Sequence, residues 1–412
     1  MRIAMIDTTP NAKLYPLSLM KLSAWRKAEG DECVLFRDRL PAPGEFDAIW
    51  LTTCFTFDLP HALGMAIEAK KRAKSVRVGG ISATLLPQHF EKHGLEVHQG
   101  LLPEAEAMTP DYSLLGEPPE YSITHTTRGC SRRCGFCMVS TLEPKFKSRK
   151  GWIADIHPDT KKVLFYDNNW FAKGKKKVME DIAILHDLVK DGTIKQIDFN
   201  QGLDCRLLTD EIADALQGLP MVPIRFAFDG MQEDGHFQRG VAKMVERGFV
   251  KGDAFVTYVL YNFTDTPKDF WYRLHESARI SQDYSNAGLH RDLRVQSFPM
   301  KYQPILRVSS RGHVGKHWTA KMLTGFVAIR GAHSAGRGTI SCTGITGRGK
   351  ALEEFEYWFG KTADEFVRLL KYDKLRELMN KKVRALSAIR RQQRLDKANR
   401  EPIAETANND ST

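Results

Sequence analysis

No stretch of the 412 residues approaches 18 uninterrupted apolar positions, so no transmembrane helix is expected. The start, MRIAMIDTTPNAKLYP, has no charged region leading into a long apolar core, and it does not read as a secretory signal. Cysteine is scarce at seven residues, too few for a disulfide-stapled secreted scaffold. No repeat of solenoid period is present. His313 and His317 stand four apart without the glutamate of an HExxH zinc site between them, so RGHVGKHWT (Arg311–Thr319) reads as a substrate-facing segment or a plain helix start. The lack of a membrane span and of a secretory signal leads to the expectation of a cytosolic chain. In the cytosol thiols stay reduced, and clustered cysteines more often bind metal or carry chemistry than pair.

What is present is the composition of a globular protein, 42% hydrophobic and 27% charged. The net charge is +11, and it is uneven. Lys361–Arg400 holds 13 Lys/Arg against 5 Asp/Glu, an excess of 8. Such a stretch attracts nucleic acid or another polyanion, or is simply a solvated helix face.

Strand-like and helix-like runs alternate from the start. RIAMI (Arg2–Ile6), VLF (Val34–Phe36), AIWLTT (Ala48–Thr53) and VRVGG (Val76–Gly80) read as strands, and Ala62–Lys74 reads as a helix. GEPPE (Gly116–Glu120) reads as a linker. A second alternation follows: SITHT (Ser122–Thr126), KVLFYD (Lys162–Asp167), IDFN (Ile197–Asn200), IRFAFD (Ile224–Asp229) and AFVTYVLY (Ala254–Tyr261) are strands with helices between. Thr209 and Thr266 are candidate helix caps, the latter before Pro267. The alternation predicts parallel sheets covered by helices. Beyond about Pro299 the rhythm is lost. Gly331–Lys350 reads as glycine-rich loops, Leu352 onward as helices, and the polar tail from Glu401 as disorder.

Three of the seven cysteines crowd into TRGCSRRCGFC (Thr127–Cys137), spaced C-x3-C-x2-C. Three thiolates leave a four-coordinate zinc site one ligand short, and His125 could complete it as Cys3His. They also suit a [4Fe–4S] cluster with one iron free of protein ligands. The loop follows a strand in a βα series, where reactive groups gather in such folds.

The loop resembles the signature of the radical S-adenosylmethionine (SAM) superfamily, C-x3-C-x-aromatic-C. Phe136 stands at the aromatic position and Arg128-Gly129 precedes the first cysteine. The likeness covers about residues 1–300. YDNNW (Tyr166–Trp170) is similar to the D-D-N-F-like segment, QGLDCRLLTDE (Gln201–Glu211) to the next strand, loop and helix, and FAFDG (Phe226–Gly230) to the G-I-E-S-like segment. YNFTDTPKDF (Tyr261–Phe270) resembles G-x-P-G-E-T-x-x-D with its glycines replaced. The N-terminal segment, with VGGISATLLP (Val78–Pro87) and EAEAMTPDYSLL (Glu104–Leu115), resembles a Rossmann-like cobalamin-binding domain.

The resemblance implies an α/β chain in three parts and a tail. A Rossmann-like, cobalamin-binding-like domain would span 1–118, a partial (βα)6 radical SAM barrel 119–298, a basic, mainly helical C-terminal region 299–400, and a disordered tail 401–412. It implies that Cys130, Cys134 and Cys137 hold the cluster and that its fourth iron takes SAM. Reduction by a partner such as flavodoxin or ferredoxin would then yield a 5′-deoxyadenosyl radical, which takes hydrogen from an unidentified substrate, anionic or nucleic acid. Asp167, Asn168 and Asn169 match the segment that meets the SAM amino group, or form an Asp/Asn turn after a strand. Gln201, Asp204, Arg206 and Asp229 would meet the ribose or carboxylate, although Arg206 could equally pair with Asp204. Phe136 would lie near the adenine.

Cobalamin is less well supported, because D-x-H-x-x-G is absent. A second cysteine cluster is also absent, which argues against methylthiolation. Of the isolated cysteines, Cys33 and Cys54 read as core residues, while Cys342 is either an incidental thiol or a radical quencher of the kind some relatives carry. Two further readings stay open. One is a cobalamin-dependent radical SAM methyltransferase. The other is a zinc-stabilised nucleic-acid-binding protein whose basic C-terminal helix reads phosphates.

Overall fold

The structure is a computed structural model describing residues 1–10, 14–250, 255–288, 293–308, 310–334 and 350–398. Its N-terminal part is a five-stranded parallel sheet of β1 (Arg2–Asp7), β2 (Glu32–Arg37), β3 (Ala48–Thr53), β4 (Ser75–Gly80) and β5 (Glu96–Val97), in the order β2-β1-β3-β4-β5. Successive side chains of a strand point to opposite faces. Ile3 and Met5 accordingly join Leu19, Met20 and Trp50 on one side, while Ala4 and Ile6 join Leu51, Leu59 and Ala66 on the other. Helices Leu17–Ala28 and Leu59–Ala69 cover the two faces. The four expected strands are all present. The short β5 carries no apolar run and was not foreseen.

Gly80 ends β4 at φ 93° and ψ −174°, a region open essentially to glycine alone. A Cβ there would lie 2.5 Å from the Thr53 carbonyl oxygen on the neighbouring strand.

The second part is a partial barrel. β6 (Ser122–Thr124), β9 (Lys162–Phe165) and β10 (Gln196–Phe199) form one parallel sheet. β11 (Ile224–Ala227), β12 (Phe255–Tyr261) and β13 (Val295–Lys301) form another. Single bridges Ile197–Met221 and Leu203–Phe226 join them. A short antiparallel pair, β7 (Thr127–Arg128) and β8 (Lys147–Ser148), flanks the cysteine loop. Val163, Phe165, Ile197, Phe199, Ile224 and Phe226 face outward into the main core beneath the helices. The opposite face of β11–β13, with Arg225, Tyr258 and Phe298, is only half-buried.

The sixth barrel strand lies where the alternation was read as fading. Pro299 breaks the strand pattern there, since proline cannot donate to a ladder. Among the described residues β12 alone pairs with β13, which places Pro299 at the edge of this sheet, where proline is tolerated.

Helices Ala320–His333, Ala351–Phe359, Ala363–Lys371 and Leu375–Ala398 form the C-terminal part. They pack on helix Pro267–Asn286 through Phe270, Trp271, Phe326, Phe355, Phe359 and Phe366. Thr209, Thr266, Thr319 and Thr362 each cap a helix by accepting a backbone N–H. Cys342, most of the glycine-rich segment and the tail 401–412 lie outside the described residues. Among the described residues no helix is long and apolar enough to cross a membrane.

Gly80→Ala is expected to destabilise the protein by about 2 kcal/mol or more, from the φ/ψ cost plus the contact with Thr53. Chemical denaturation of the variant beside wild type measures it, and an unchanged midpoint would contradict the close approach.

Candidate functional site: the cysteine loop

The loop leaves the C-terminal end of β6 and is tied down on three sides. At its base Asp167, just past β9, is 3% exposed. It accepts hydrogen bonds from the Thr126 backbone N–H (3.0 and 3.1 Å), the Thr126 hydroxyl (2.7 Å) and the Thr127 hydroxyl (2.7 Å). Burial pushes its pKa up, against the pull of those donors and of Lys173. Lys173 is buried, donates to the Thr126 hydroxyl at 2.8 Å and pairs with Asp181.

At the entrance, Arg128 forks onto Glu106 of the N-terminal part at 2.7–3.0 Å and reaches Glu143 at 3.1 Å. Glu143 also accepts the Gly129 N–H at 2.5 Å and the Asn168 amide at 3.1 Å. Gly129 has φ 75°, and a Cβ would lie 2.8 Å from the Glu143 carbonyl oxygen. The Arg-Gly pair thus has a local reason: an anchor, then a residue with no side chain where two backbones touch.

On the third side Asp204 accepts from Arg132 of the loop (2.8 Å), from Asn169 (3.1 Å) and from Arg206 (2.7 and 3.2 Å). Arg206 also reaches Glu233 at 2.5 Å. Burial raises the Asp204 carboxyl pKa, but Arg206 and Arg132 outweigh it and hold the group below the usual carboxylate range.

The three cysteines are free and half-buried. The Cys137 N–H donates to the Cys134 carbonyl at 2.9 Å. Burial raises the Cys134 pKa, and the Cys137 and Cys130 sulfurs raise it further against Arg206 and Arg132. Burial likewise raises Cys137, with Cys130 and Asp229 adding to it. Among the described residues no group of three or more His, Cys, Asp or Glu side chains is placed to hold a metal ion, the three cysteines included. His125 does not complete one. Its ring is 1% exposed, Nε2 lies 3.8 Å from Glu106, and burial with Arg128, Arg149 and Lys21 nearby pushes its pKa down to about 2.

The other expected residues fall at the strand ends in different states. Asn169 is buried with Oδ1 unpartnered. Arg206 is committed to Asp204 and Glu233. Gln201 is exposed, with one long contact to Asn200 at 3.5 Å. Asp229 accepts the Leu260 N–H at 3.0 Å, and burial with Glu233 nearby raises its pKa to about 7 against Arg273. Phe136 meets Phe263 edge to face with centroids 6.0 Å apart.

Four residues that organise the site were missed by sequence reading: Glu106, Glu143, Glu233 and Arg273. Arg273 is fully buried and donates to the carbonyls of Phe228 (3.0 Å), Asp229 (2.8 Å) and Leu260 (2.8 Å) and to Asp265 (3.1 Å). It gathers the ends of β11 and β12. Its sequence signal is weak: an arginine between Phe270 and Leu274 in helix Pro267–Asn286, whose buried side also carries Glu276, Ser277 and Gln282.

Two outcomes follow from these contacts. Arg273→Met should cost about 3–5 kcal/mol, since it strands a buried carboxylate and three carbonyls; denaturant unfolding measures the loss. For His125, the unfolded chain holds a proton between about 2 and the ordinary 6.5 that the folded chain does not. Stability must therefore fall as pH drops below that ordinary value, and His125→Gln should flatten the acid limb of a stability–pH curve.

No protein-family model matches the chain. The ribosomal protein uS12 methylthiotransferase RimO of Aquifex aeolicus (strain VF5) is 22% identical over 261 residues, 56% of this chain and 60% of that protein. RimO of Stenotrophomonas maltophilia (strain K279a) is 24% identical over 132 residues, 27% of this chain and 29% of that protein. The chain thus spans less than two thirds of either relative. Among solved structures, the radical SAM methyltransferase TsrM from Kitasatospora setae with cobalamin and a [4Fe–4S] cluster bound superposes with a TM-score of 0.54 at 12% identity, over 75% of this chain and 76% of that one. TsrM with its tryptophan substrate and a SAM analogue gives 0.51 at 13% identity, over 68% and 71%. The fold of the chain is similar to that of TsrM.

Proposed function

We propose that the protein is a radical SAM enzyme. The observation that carries the reading is the C-x3-C-x2-C loop, with three free, half-buried thiols, at the C-terminal end of the first strand of a partial barrel. Cys130, Cys134 and Cys137 would hold a [4Fe–4S] cluster. When bound, that cluster supplies the electron that splits SAM into methionine and a 5′-deoxyadenosyl radical, which takes hydrogen from the substrate.

The chain's own part is positioning. Asp167 and Glu143 hold the base and entrance of the loop. The unpartnered Asn169 Oδ1 is an acceptor for the SAM ammonium, and Phe136 offers a ring face to the adenine. Asp204 keeps Arg132 and Arg206 in place, so in this reading Arg206 orients the site through carboxylates. Asp167 and Asn168 support the loop, while Asp229 and Gln201 stand at the rim. The segments 1–118, 119–298 and 299–400 are taken as the sheet domain, the barrel and the C-terminal region of a cytosolic enzyme.

A cobalamin-dependent methyltransferase is the second reading. It is favoured by the likeness to cobalamin-bound TsrM and by the Arg128–Glu106 fork, which ties the N-terminal sheet part to the cysteine loop.

Anaerobic reconstitution with iron and sulfide, followed by SAM and dithionite, tests the proposal by mass detection of 5′-deoxyadenosine. Wild type should form it, and Cys134→Ala should fall to background. A colourless, zinc-binding protein that leaves SAM intact would overturn the reading.

A further inference from the structure

A file of aromatic rings runs away from the cysteine loop over the outside of the barrel mouth. Phe136 meets Phe263, and Phe263 meets Tyr302 with centroids 4.6 Å apart. Tyr302 meets His313 edge to face at 5.5 Å. Two residues before His313, Arg311 lies over the ring of Phe57 at 5.3 Å, and Phe57 stacks on Phe55 at 4.9 Å with planes 10° apart. None of these six rings is buried, and Phe55 is 46% exposed. Rings of this size ordinarily sit in cores, where their area is worth most. Five of the six are half-buried and Phe55 is exposed, so each keeps part of its surface in contact with solvent.

The middle of the file is held rigidly. Asn262 is fully buried at φ 69°. Its amide donates to the carbonyls of Tyr302 and His313, both at 3.1 Å, and accepts the Gly315 N–H at 2.7 Å. One side chain thus fixes the two ring-bearing segments against each other, and such preorganised rings lose little entropy on binding.

The unpaired charge beside the rings is positive among the described residues. Arg307, Lys316 and Arg133 are exposed, and none has an ion pair among the described residues. Arg311 is 70% exposed beside Asp58, its partner at 3.0 Å. Burial, then Arg307 and Lys301, keep the His313 pKa low, so that this imidazole is a neutral stacking face. The nearest carboxylates, Asp58 and Asp265, are already paired with arginines. An apolar peptide would have no use for the cations, and free phosphate would have no use for the rings. Flat faces alternating with positive charge match a strand of unstacked bases on a phosphate backbone.

We propose that this ledge binds single-stranded nucleic acid, with bases on Tyr302, His313 and the Phe55–Phe57 pair and phosphates on Arg307, Arg311 and Lys316. The inference does not depend on the radical chemistry, because its assay is binding. The full-length protein is titrated into fluorescein-labelled single strands of about 12 nucleotides, a span usual for such sites, as RNA and as DNA. A duplex of the same length is run beside them, and fluorescence anisotropy is the readout.

The single strands should bind more tightly than the duplex, and a difference between RNA and DNA would say which sugar is read. Tyr302→Leu and Phe57→Leu should each weaken binding by about 5- to 150-fold, the range of one lost base stack. Tyr302→Trp, which keeps a ring, should retain it, separating lost stacking from misfolding. Arg307→Gln with Lys316→Gln should lower the salt slope on a single strand by about 1.4. The proposal is overturned if no strand binds, or if the duplex binds as tightly. It is equally overturned if binding responds to the charge variants and not to Tyr302→Leu or Phe57→Leu.

Discussion

The buried Asp167 carboxylate is the point on which the cysteine loop depends. A carboxylate taken from water is costly unless its lone pairs are filled. Here the donors that fill them are the backbone and hydroxyls of Thr126 and the hydroxyl of Thr127. The chain leaving β6 is thereby held against the chain leaving β9 before the first cysteine is reached. Lys173, behind Thr126, extends the network into the core. Everything beyond that base is positioned relative to it: the Glu143 anchor of Gly129, the Asp204 hub and the three thiols.

The same logic of filled lone pairs explains why so much charge is concentrated here. Asp204 serves two arginines and an amide, Glu143 serves an arginine, a backbone N–H and an amide, and Arg273 serves three carbonyls and a carboxylate. Each group draws on a different strand end or loop. A barrel that is open on one side has no complete ring of ladder hydrogen bonds to set the positions of its strand ends. Side-chain networks at the mouth do that work, and the Arg128–Glu106 fork extends them to the N-terminal part. Such networks are strong when every member is satisfied, and the Asn169 Oδ1 is one of several buried polar atoms here without a partner among the described residues.

Much of the layout was legible locally. The strands AIWLTT and KVLFYD announce themselves because parallel strands buried on both faces are short, nearly continuous apolar runs. Thr209 and Thr266 were readable as caps because capping is decided within one turn. The cysteine spacing was equally plain. β13 was hidden because Pro299 contradicts a strand in any local rule, and only its position at a sheet edge makes it harmless. The role of Asp167 was hidden because an Asp-Asn-Asn run after a strand reads the same whether the carboxylate faces solvent, a ligand or two threonines.

Sequence alone determined most of the strand–helix alternation up to Tyr261, the parallel character of the two main sheets and the clustering of three thiols after a strand, since each depends on periodicity or spacing within a short window. Tertiary structure alone decided which charges meet. The Glu106–Arg128 pair spans 22 positions, Arg132–Asp204 spans 72, and the Asn262 contact with Gly315 spans 53. Pairings over such distances are selected by the closure of the fold, because the energy of a buried hydrogen bond is realised only once packing has excluded water from both partners.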